Sequence, residues 1–257
     1  MIKAAFFDVD GTLLSHKSKQ VPPSTRAALS KLKATGIPCV VATGRQISEM
    51  EKLPIADIAF DGYITLNGQL LLDGEKKLMS ATPITGKVKD FLVDCYESHK
   101  FPALIVEERR AYLNFVNDHV RATQAAISSG IPELDHYSGG EIYQFCAYLR
   151  PGEEAMVAPV AGECVMTRWN FGGLDIIAPG GGKVTGIRKY LDRCGLKQEE
   201  IIAFGDGEND LEMLKFAGIG VAMGNAEDAV KAAADYVTSD IDEDGVALAL
   251  RHFGLIE

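Results

Sequence analysis

The run Ala4-Ala5-Phe6-Phe7 has an apolar side chain at every position and stops abruptly at Asp8-Val9-Asp10-Gly11-Thr12. Successive side chains of a strand point to opposite faces, so a strand over residues 3 to 7 must be buried on both, the environment of a parallel sheet. Parallel strands need crossover connections, and the next segments supply one. Pro22-Pro23-Ser24 opens a helical stretch with apolar Ala28, Leu29 and Leu32, Gly36 closes it, and Ile37 to Ala42 is a second apolar run that ends in Thr43-Gly44-Arg45.

The alternation continues and is then interrupted. A strand near Tyr63 to Leu66 ends at Asn67-Gly68, and Leu70 to Leu72, Asp73-Gly74 and Lys77 to Met79 read as a hairpin. From Thr82 the texture changes. Val88, Phe91, Leu92, Cys95 and Tyr96 mark an amphipathic helix, and strands are expected at Ala103 to Val106, Ala111 to Val116, Ile142 to Leu149 and Cys164 to Trp169. Helical pieces are expected near Asp118 to Ser128 and Glu153 to Ala161. After Gly180-Gly181-Gly182 the βα order returns, with helices at Lys183 to Cys194 and Leu211 to Phe216, strands at Ile201 to Phe204 and Ile219 to Val221, and two further helices. The expected fold class is α/β, a Rossmann-like parallel-sheet core (residues 1–81 and 180–257) with an inserted α+β domain (residues 82–179).

Composition narrows the function classes. The formal net charge is −10 and no basic cluster exceeds Arg109-Arg110, which argues against an extended nucleic-acid surface or a polybasic membrane patch. No stretch reaches the roughly 18 to 20 apolar residues of a membrane span, and Lys3 leads straight into strand-like sequence, not a signal-peptide pattern, so the expected location is cytoplasmic. The five cysteines form no Cys-x-x-Cys pair and the five histidines no His-x-x-x-His spacing, which leaves buried free thiols and no zinc site.

The chemistry lies where strands end. Asp8 and Asp10 project to one side of an extended chain, and their charges repel unless a cation, a proton or turn geometry resolves the conflict. A second acidic cluster, Gly205-Asp206-Gly207-Glu208-Asn209-Asp210, follows another buried strand. Each cluster alone reads as a turn or an acidic helix start. Brought to one sheet edge, they offer the hard oxygen ligands that Mg²⁺ prefers. Thr43 adds a hydroxyl and neighbouring backbone amides suited to a phosphate oxygen. Lys183 opens a helix, against the dipole, and so calls for an anionic partner. "GGGK" is not a nucleotide-binding loop, because Ile177 replaces its first glycine and Val184 stands where Ser or Thr should hold the metal.

Asp8-Val9-Asp10-Gly11-Thr12, Thr43-Gly44-Arg45, Lys183 and Gly205 to Asp210 together resemble the four ordered motifs of the haloacid dehalogenase superfamily, in particular its Cof-type phosphatases with a large, type IIB-like cap between the second and third motifs. The resemblance spans nearly the whole chain, including Asn67-Gly68 and the stretch from Leu174 to Lys183. It implies a Mg²⁺-dependent phosphatase of small phosphomonoesters, sugar phosphates or related metabolites, acting through an aspartyl-phosphate. By match, Asp8 is the nucleophile and Asp10 the general acid/base. Asp8, the Asp10 carbonyl and Asp206 hold the metal, with Asn209 and Asp210 supporting the ligands. Thr43 and Lys183 stabilise the phosphoryl group, and Thr43, Gly44, Arg45, Asn67, Lys183 and Asn209 line the substrate.

Two other classes fit the same residues. A phosphomutase or other phosphotransferase would keep the phosphoryl group instead of releasing it, and a non-catalytic phosphate-binding protein would not turn over. The insert is expected to act as a lid hinged near Ser80 to Pro83 and Pro179 to Gly182. Within it, Arg168 and Asn170 flank Trp169 close to the return linker, within reach of a leaving group, although Arg168 reads equally well as a solvated strand residue.

Overall fold

Strand β1 (Ala4–Phe7) is buried along its whole length in the computed structural model, which describes residues 1–126 and 129–257 and, at Trp169 and Asn170, the backbone alone. Helix α1 (Pro23–Ala34) carries the chain to β2 (Cys39–Ala42), which lies parallel to β1. Pro23 sits at the helix start, where its missing N–H is no loss, and Lys31 and Lys33 in the last turn complement the helix dipole. The ladder of β2 begins at Cys39 and not at the expected Ile37, since Pro38 has no N–H to give, although its carbonyl accepts one from Ala5. A one-turn helix, α2 (Ile47–Met50), follows, then β3 (Gly62–Thr65), parallel to β2, and β4 (Leu70–Asp73), antiparallel to β3. Strand β5 (Leu78–Ala81) completes this edge.

Ala81–Gly181 forms a compact unit of its own. In chain order it contains α3 (Gly86–Glu97), β6 (Ala103–Val106), β7 (Ala111–Leu113), α4 (Asp118–Ala126), β8 (Glu133–Leu134), β9 (Gln144–Ala147), β10 (Val165–Asn170) and β11 (Gly173–Ile177). Its sheet runs in the order β10-β11-β9-β6-β7-β8. Val88, Leu92, Cys95 and Tyr96 of α3 pack with Ile105, Phe145, Ala147 and Ile176 of the sheet, so the 3.6-residue period of the helix meets the two-residue period of the strands. The expected helix at Glu153 to Ala161 is instead two 3₁₀ turns, Glu154–Met156 and Ala158–Val160, because Pro159 breaks the α-helical ladder. Strands β8 and β11 were not expected. The first is two exposed residues that exist only as a parallel partner to β7, and the second forms a hairpin with β10. The last two residues of the helix expected at 118–128, and the Trp169 and Asn170 side chains, lie outside the described residues.

The chain then completes the first unit with α5 (Lys183–Cys194), β12 (Ile201–Gly205), α6 (Leu211–Phe216), β13 (Ile219–Ala222), α7 (Asp228–Ala233), β14 (Tyr236–Val237) and α8 (Gly245–His252). The sheet order is β14-β13-β12-β1-β2-β3-β4-β5. Ala5 and Phe7 enter one apolar layer with α1 and α8, while Ala4 and Phe6 enter the other with α5, α6 and α7. Both faces of β1 are thus covered by helices. Six strands, β1, β2, β3, β12, β13 and β14, are parallel. From β1 the chain winds outward to β2 and β3, and later returns on the other flank through β12 and β13. The switch point of an open parallel sheet is where ligands bind, beyond the carboxyl ends. Here that edge receives Asp8, Thr43, Asn67, Asp206 and Asn225 from five different strand ends. Among the described residues, no helix is long and apolar enough to cross a membrane.

Candidate active site

Strands β1 and β12 lie side by side with Phe7 opposite Phe204, their rings stacked 4.9 Å apart, which sets the two acidic loops next to one another. Between the loops lies Lys183, only 2% exposed at the start of α5. Its Nζ donates to Asp8 Oδ1 at 2.5 Å and to Asp210 Oδ1 at 2.6 Å. A lysine this deeply buried is tolerated only when ion-paired and hydrogen-bonded. Burial works to lower the Lys183 pKa, but Asp210 and Asp8 outweigh it and raise it, so the ammonium form persists. Burial pushes the Asp8 carboxyl well up, against the pull of Lys183 and with the help of Asp210, Asp206 and Asp10.

Asp10 stands apart from this pair. Arg45 grips it bidentately, Nε to Oδ2 at 2.6 Å and Nη2 to Oδ1 at 2.9 Å, with both side chains about one-third exposed. Arg45, expected on the substrate, is therefore placed with its fork on Asp10. Thr43 is 1% exposed, and its Oγ1 accepts the Arg45 N–H at 3.2 Å, which leaves its own hydroxyl hydrogen to donate. The Thr43 carbonyl accepts the Asn67 N–H, and Gly44 approaches the Asn67 amide so closely that a Cβ would lie 3.2 Å from it. Asn67 belongs to a left-handed run, with φ of 51° at Leu66, 52° at Asn67 and 88° at Gly68. Such a run is costly for Leu and Asn, and it persists where the surroundings over-determine it. It directs the Asn67 carbonyl to the Gly182 N–H, next to Lys183, and the Asn67 side chain to Asn209, whose Nδ2 lies 3.2 Å from Asn67 Oδ1. Thr43, Gly44, Asn67, Lys183 and Asn209 are thus brought to one sheet edge with Asp8 and Asp10, whereas Arg168 pairs with Glu154 inside the Ala81–Gly181 unit.

The second acidic loop is organised by its own last member. Asp210 Oδ2 accepts the N–H groups of Asp206 and Gly207, each at 3.0 Å, while its Oδ1 takes Lys183, so Asp210 braces the turn that presents Asp206. Asp206 Oδ1 accepts the Thr12 hydroxyl at 2.8 Å, and its Oδ2 lies 3.4 Å from Asn225 Nδ2. Gly11 makes this approach feasible: its φ is +84°, and a Cβ there would collide with the Asp206 carboxylate. Thr12 and Asn225 were not assigned roles from the sequence. Thr12 lies inside a quoted motif, and Asn225 follows a further strand end, that of β13, the one signal that pointed to it.

The charges do not cancel. Asp8, Asp10, Asp206 and Asp210 face Lys183 and Arg45, four carboxylates against two cations, which leaves a formal excess of two negative charges. Among the described residues no Lys or Arg forms an ion pair with Asp206, and burial pushes its carboxyl up to about 7 despite the Thr12 hydrogen bond. Oxygens of Asp8, Asp206 and Asp210 lie within 4.8 Å of one another. This all-oxygen, doubly negative donor set fits a hard divalent cation.

Comparison with known proteins agrees with the fold and the motifs. The profile of the haloacid dehalogenase-like hydrolases matches residues 5–250. BT1666 from Bacteroides thetaiotaomicron, a phosphatase of the same superfamily, is 33% identical with a TM-score of 0.91, over 100% of this chain and 96% of that one. The subclass IIB sugar phosphatase BT4131 is 36% identical with a TM-score of 0.86, over 99% of this chain and 100% of that one. The 5-amino-6-(5-phospho-D-ribitylamino)uracil phosphatase YcsE of Bacillus subtilis is 29% identical over 99% of this chain and 96% of its own. The chain belongs to the haloacid dehalogenase-like hydrolases, as its motifs implied, and is a phosphatase.

Proposed function

We propose that the chain is a Mg²⁺-dependent phosphatase of small phosphomonoesters, sugar phosphates or related metabolites, with Asp8 as nucleophile. The observation that carries this reading is the buried Lys183 bridge between Asp8 and Asp210 beside an Asp206 that, among the described residues, has no ion pair. It holds one carboxylate oriented at a sheet edge that combines phosphate-binding donors with a cation-seeking donor set. Asp8, Asp206 and the Asp10 carbonyl would hold Mg²⁺, with Asn209 and Asp210 supporting them. The ion would screen the repulsion between carboxylate and phosphate and polarise the phosphoryl oxygens.

In the first step an Asp8 oxygen attacks phosphorus in line, the bond from phosphorus to the ester oxygen breaks, and the leaving alkoxide takes a proton from Asp10. In the second, Asp10 takes a proton from water, the water oxygen attacks phosphorus, and the bond to Asp8 breaks to release inorganic phosphate. Both Asp10 oxygens are bonded to Arg45, so Asp10 meets the ester oxygen only by giving up part of that fork. Lys183 and Thr43 donate to phosphoryl oxygens as charge develops. Two relatives support the substrate class, one a sugar phosphatase and the other acting on a phosphoribityl compound, both phosphorylated polyols. The acidic charge and five free thiols support a cytoplasmic enzyme without a nucleic-acid partner.

The test is Asp8→Asn assayed for steady phosphate release across a phosphomonoester panel, alongside the wild type with Mg²⁺ and with excess chelator. The expected result is no turnover from a folded variant and none from the chelated enzyme. Substantial turnover by Asp8→Asn overturns the nucleophile, full activity in chelator overturns the metal, and transfer without phosphate release makes the chain a phosphotransferase.

A further inference from the structure

We infer that Asn225 is a positioning residue that aims Asp206 at the metal, an inference that rests on the metal reading above. One side chain joins three segments that are distant in the chain. Asn225 Nδ2 donates to the Gly11 carbonyl at 2.9 Å and faces Asp206 Oδ2 at 3.4 Å, while its Oδ1 accepts the Ile241 N–H at 3.0 Å. The Ile241 N–H requires an acceptor, which places the amide nitrogen opposite two oxygen acceptors. The network therefore has one consistent orientation of the amide. An aspartate could not replace it, because its oxygens would face the Gly11 carbonyl and the Asp206 carboxylate with no hydrogen to share.

The backbone around Asn225 is fixed from both sides. Met223 donates its N–H to the Gly205 carbonyl at the end of β12, and Gly224 donates to Ser239. A Cβ at Gly224 would collide with the backbone of Ser239 and Asp240, so the segment sits hard against the stretch that carries Ile241. The result is a rigid strut that runs from Ile241 through Asn225 to the two acidic loops. Thr12 holds one Asp206 oxygen and Asn225 faces the other, so rotation of the carboxylate is opposed from both sides. Outer partners of this kind set the direction of a metal ligand, and their loss typically weakens metal binding by about 10- to 100-fold.

The test is calorimetric titration of the full chain with Mg²⁺ for wild type, Asn225→Ala, Asn225→Leu and Asp206→Ala, together with the Mg²⁺ concentration for half-maximal activity and kcat at saturating Mg²⁺. The leucine variant keeps the side-chain size and answers the question if the alanine variant folds poorly. Expected is a Kd raised about 10- to 100-fold in both Asn225 variants, with kcat recovered at saturating Mg²⁺. A Mg²⁺ Kd unchanged in a folded Asn225 variant, while Asp206→Ala loses binding, overturns the role of Asn225 alone. Wild-type Mg²⁺ binding by Asp206→Ala overturns the metal reading itself.

Discussion

The two acidic loops hold their carboxylates by opposite means. At the end of β1, each aspartate has a cation, Lys183 for Asp8 and Arg45 for Asp10. At the end of β12, Asp210 shares Lys183, but Asp206 is held by a hydroxyl and an amide, both neutral. Cations neutralise a carboxylate as they orient it, whereas neutral donors orient it and leave its charge in place. The difference leaves one of the two excess negative charges of the site on Asp206 and the other on the Asp8–Asp210 pair that shares Lys183. On the proposed function, the β1 loop would supply the reacting carboxylates and the β12 loop the carboxylate that attracts a cation.

The largest effect should come from the residue the two loops share. Lys183→Met leaves Asp8 and Asp210 buried without their counter-ion, and loss of one partner of a buried ion pair costs about 3 to 5 kcal/mol. Urea unfolding monitored by circular dichroism should show a loss of this size together with loss of turnover. An unchanged midpoint would mean that the two loops are not coupled through Lys183.

Asp10→Asn comes next and affects the β1 loop alone. It keeps the backbone carbonyl, so Mg²⁺ affinity should hold while acid/base catalysis is lost, a fall of about 100- to 10,000-fold in rate for an alkyl phosphate. Formation of the aspartyl-phosphate from p-nitrophenyl phosphate should be nearly spared, since that leaving group barely needs a proton, and the intermediate should then accumulate in rapid-quench experiments. Equal loss for both esters, with no intermediate, would move Asp10 from the reacting group to the metal site.

The smallest effect separates the loops by pH. Asp206 has a carboxyl pushed up to about 7 in the fold, against 3.8 in the unfolded chain, mainly by burial. The folded chain therefore binds this proton more tightly than the unfolded chain. The stability it contributes is present at low pH and is lost as pH rises from about 4 to about 7. In chelator, the wild-type thermal midpoint should fall across that window by a few degrees more than that of Asp206→Asn. Mg²⁺ added above pH 7 should return the loss to the wild type only. Parallel curves for the two proteins would remove Asp206 as the site of uncompensated charge.

Much of this arrangement was legible in the chain. The apolar runs at β1, β2 and β12 read as strands because both their faces are covered, and such strands leave no polar alternation to misread. The polar residues that end them were visible for the same reason. Besides β11, the elements that escaped are short ones that depend on a partner: β8 and β14 are two residues each, and α2 is a single turn. None of them has enough sequence to show a period. Arg45 was assigned to the substrate by its match to a family motif, and the sequence does not reveal that Asp10 lies within reach of its fork. Arg168, considered for the leaving group, donates to the Leu149 carbonyl and pairs with Glu154 within its own unit.

By itself, the sequence determined the parallel core and the polar strand ends, because burial and strand-end polarity are local patterns of residue type. Only the tertiary structure decided which charge meets which. Asp8 is 175 residues from Lys183, and Thr12 is 194 residues from Asp206. Pairings at such separations follow from strand order and register, and they set the electrostatics through distances of a few ångströms that no spacing along the chain encodes.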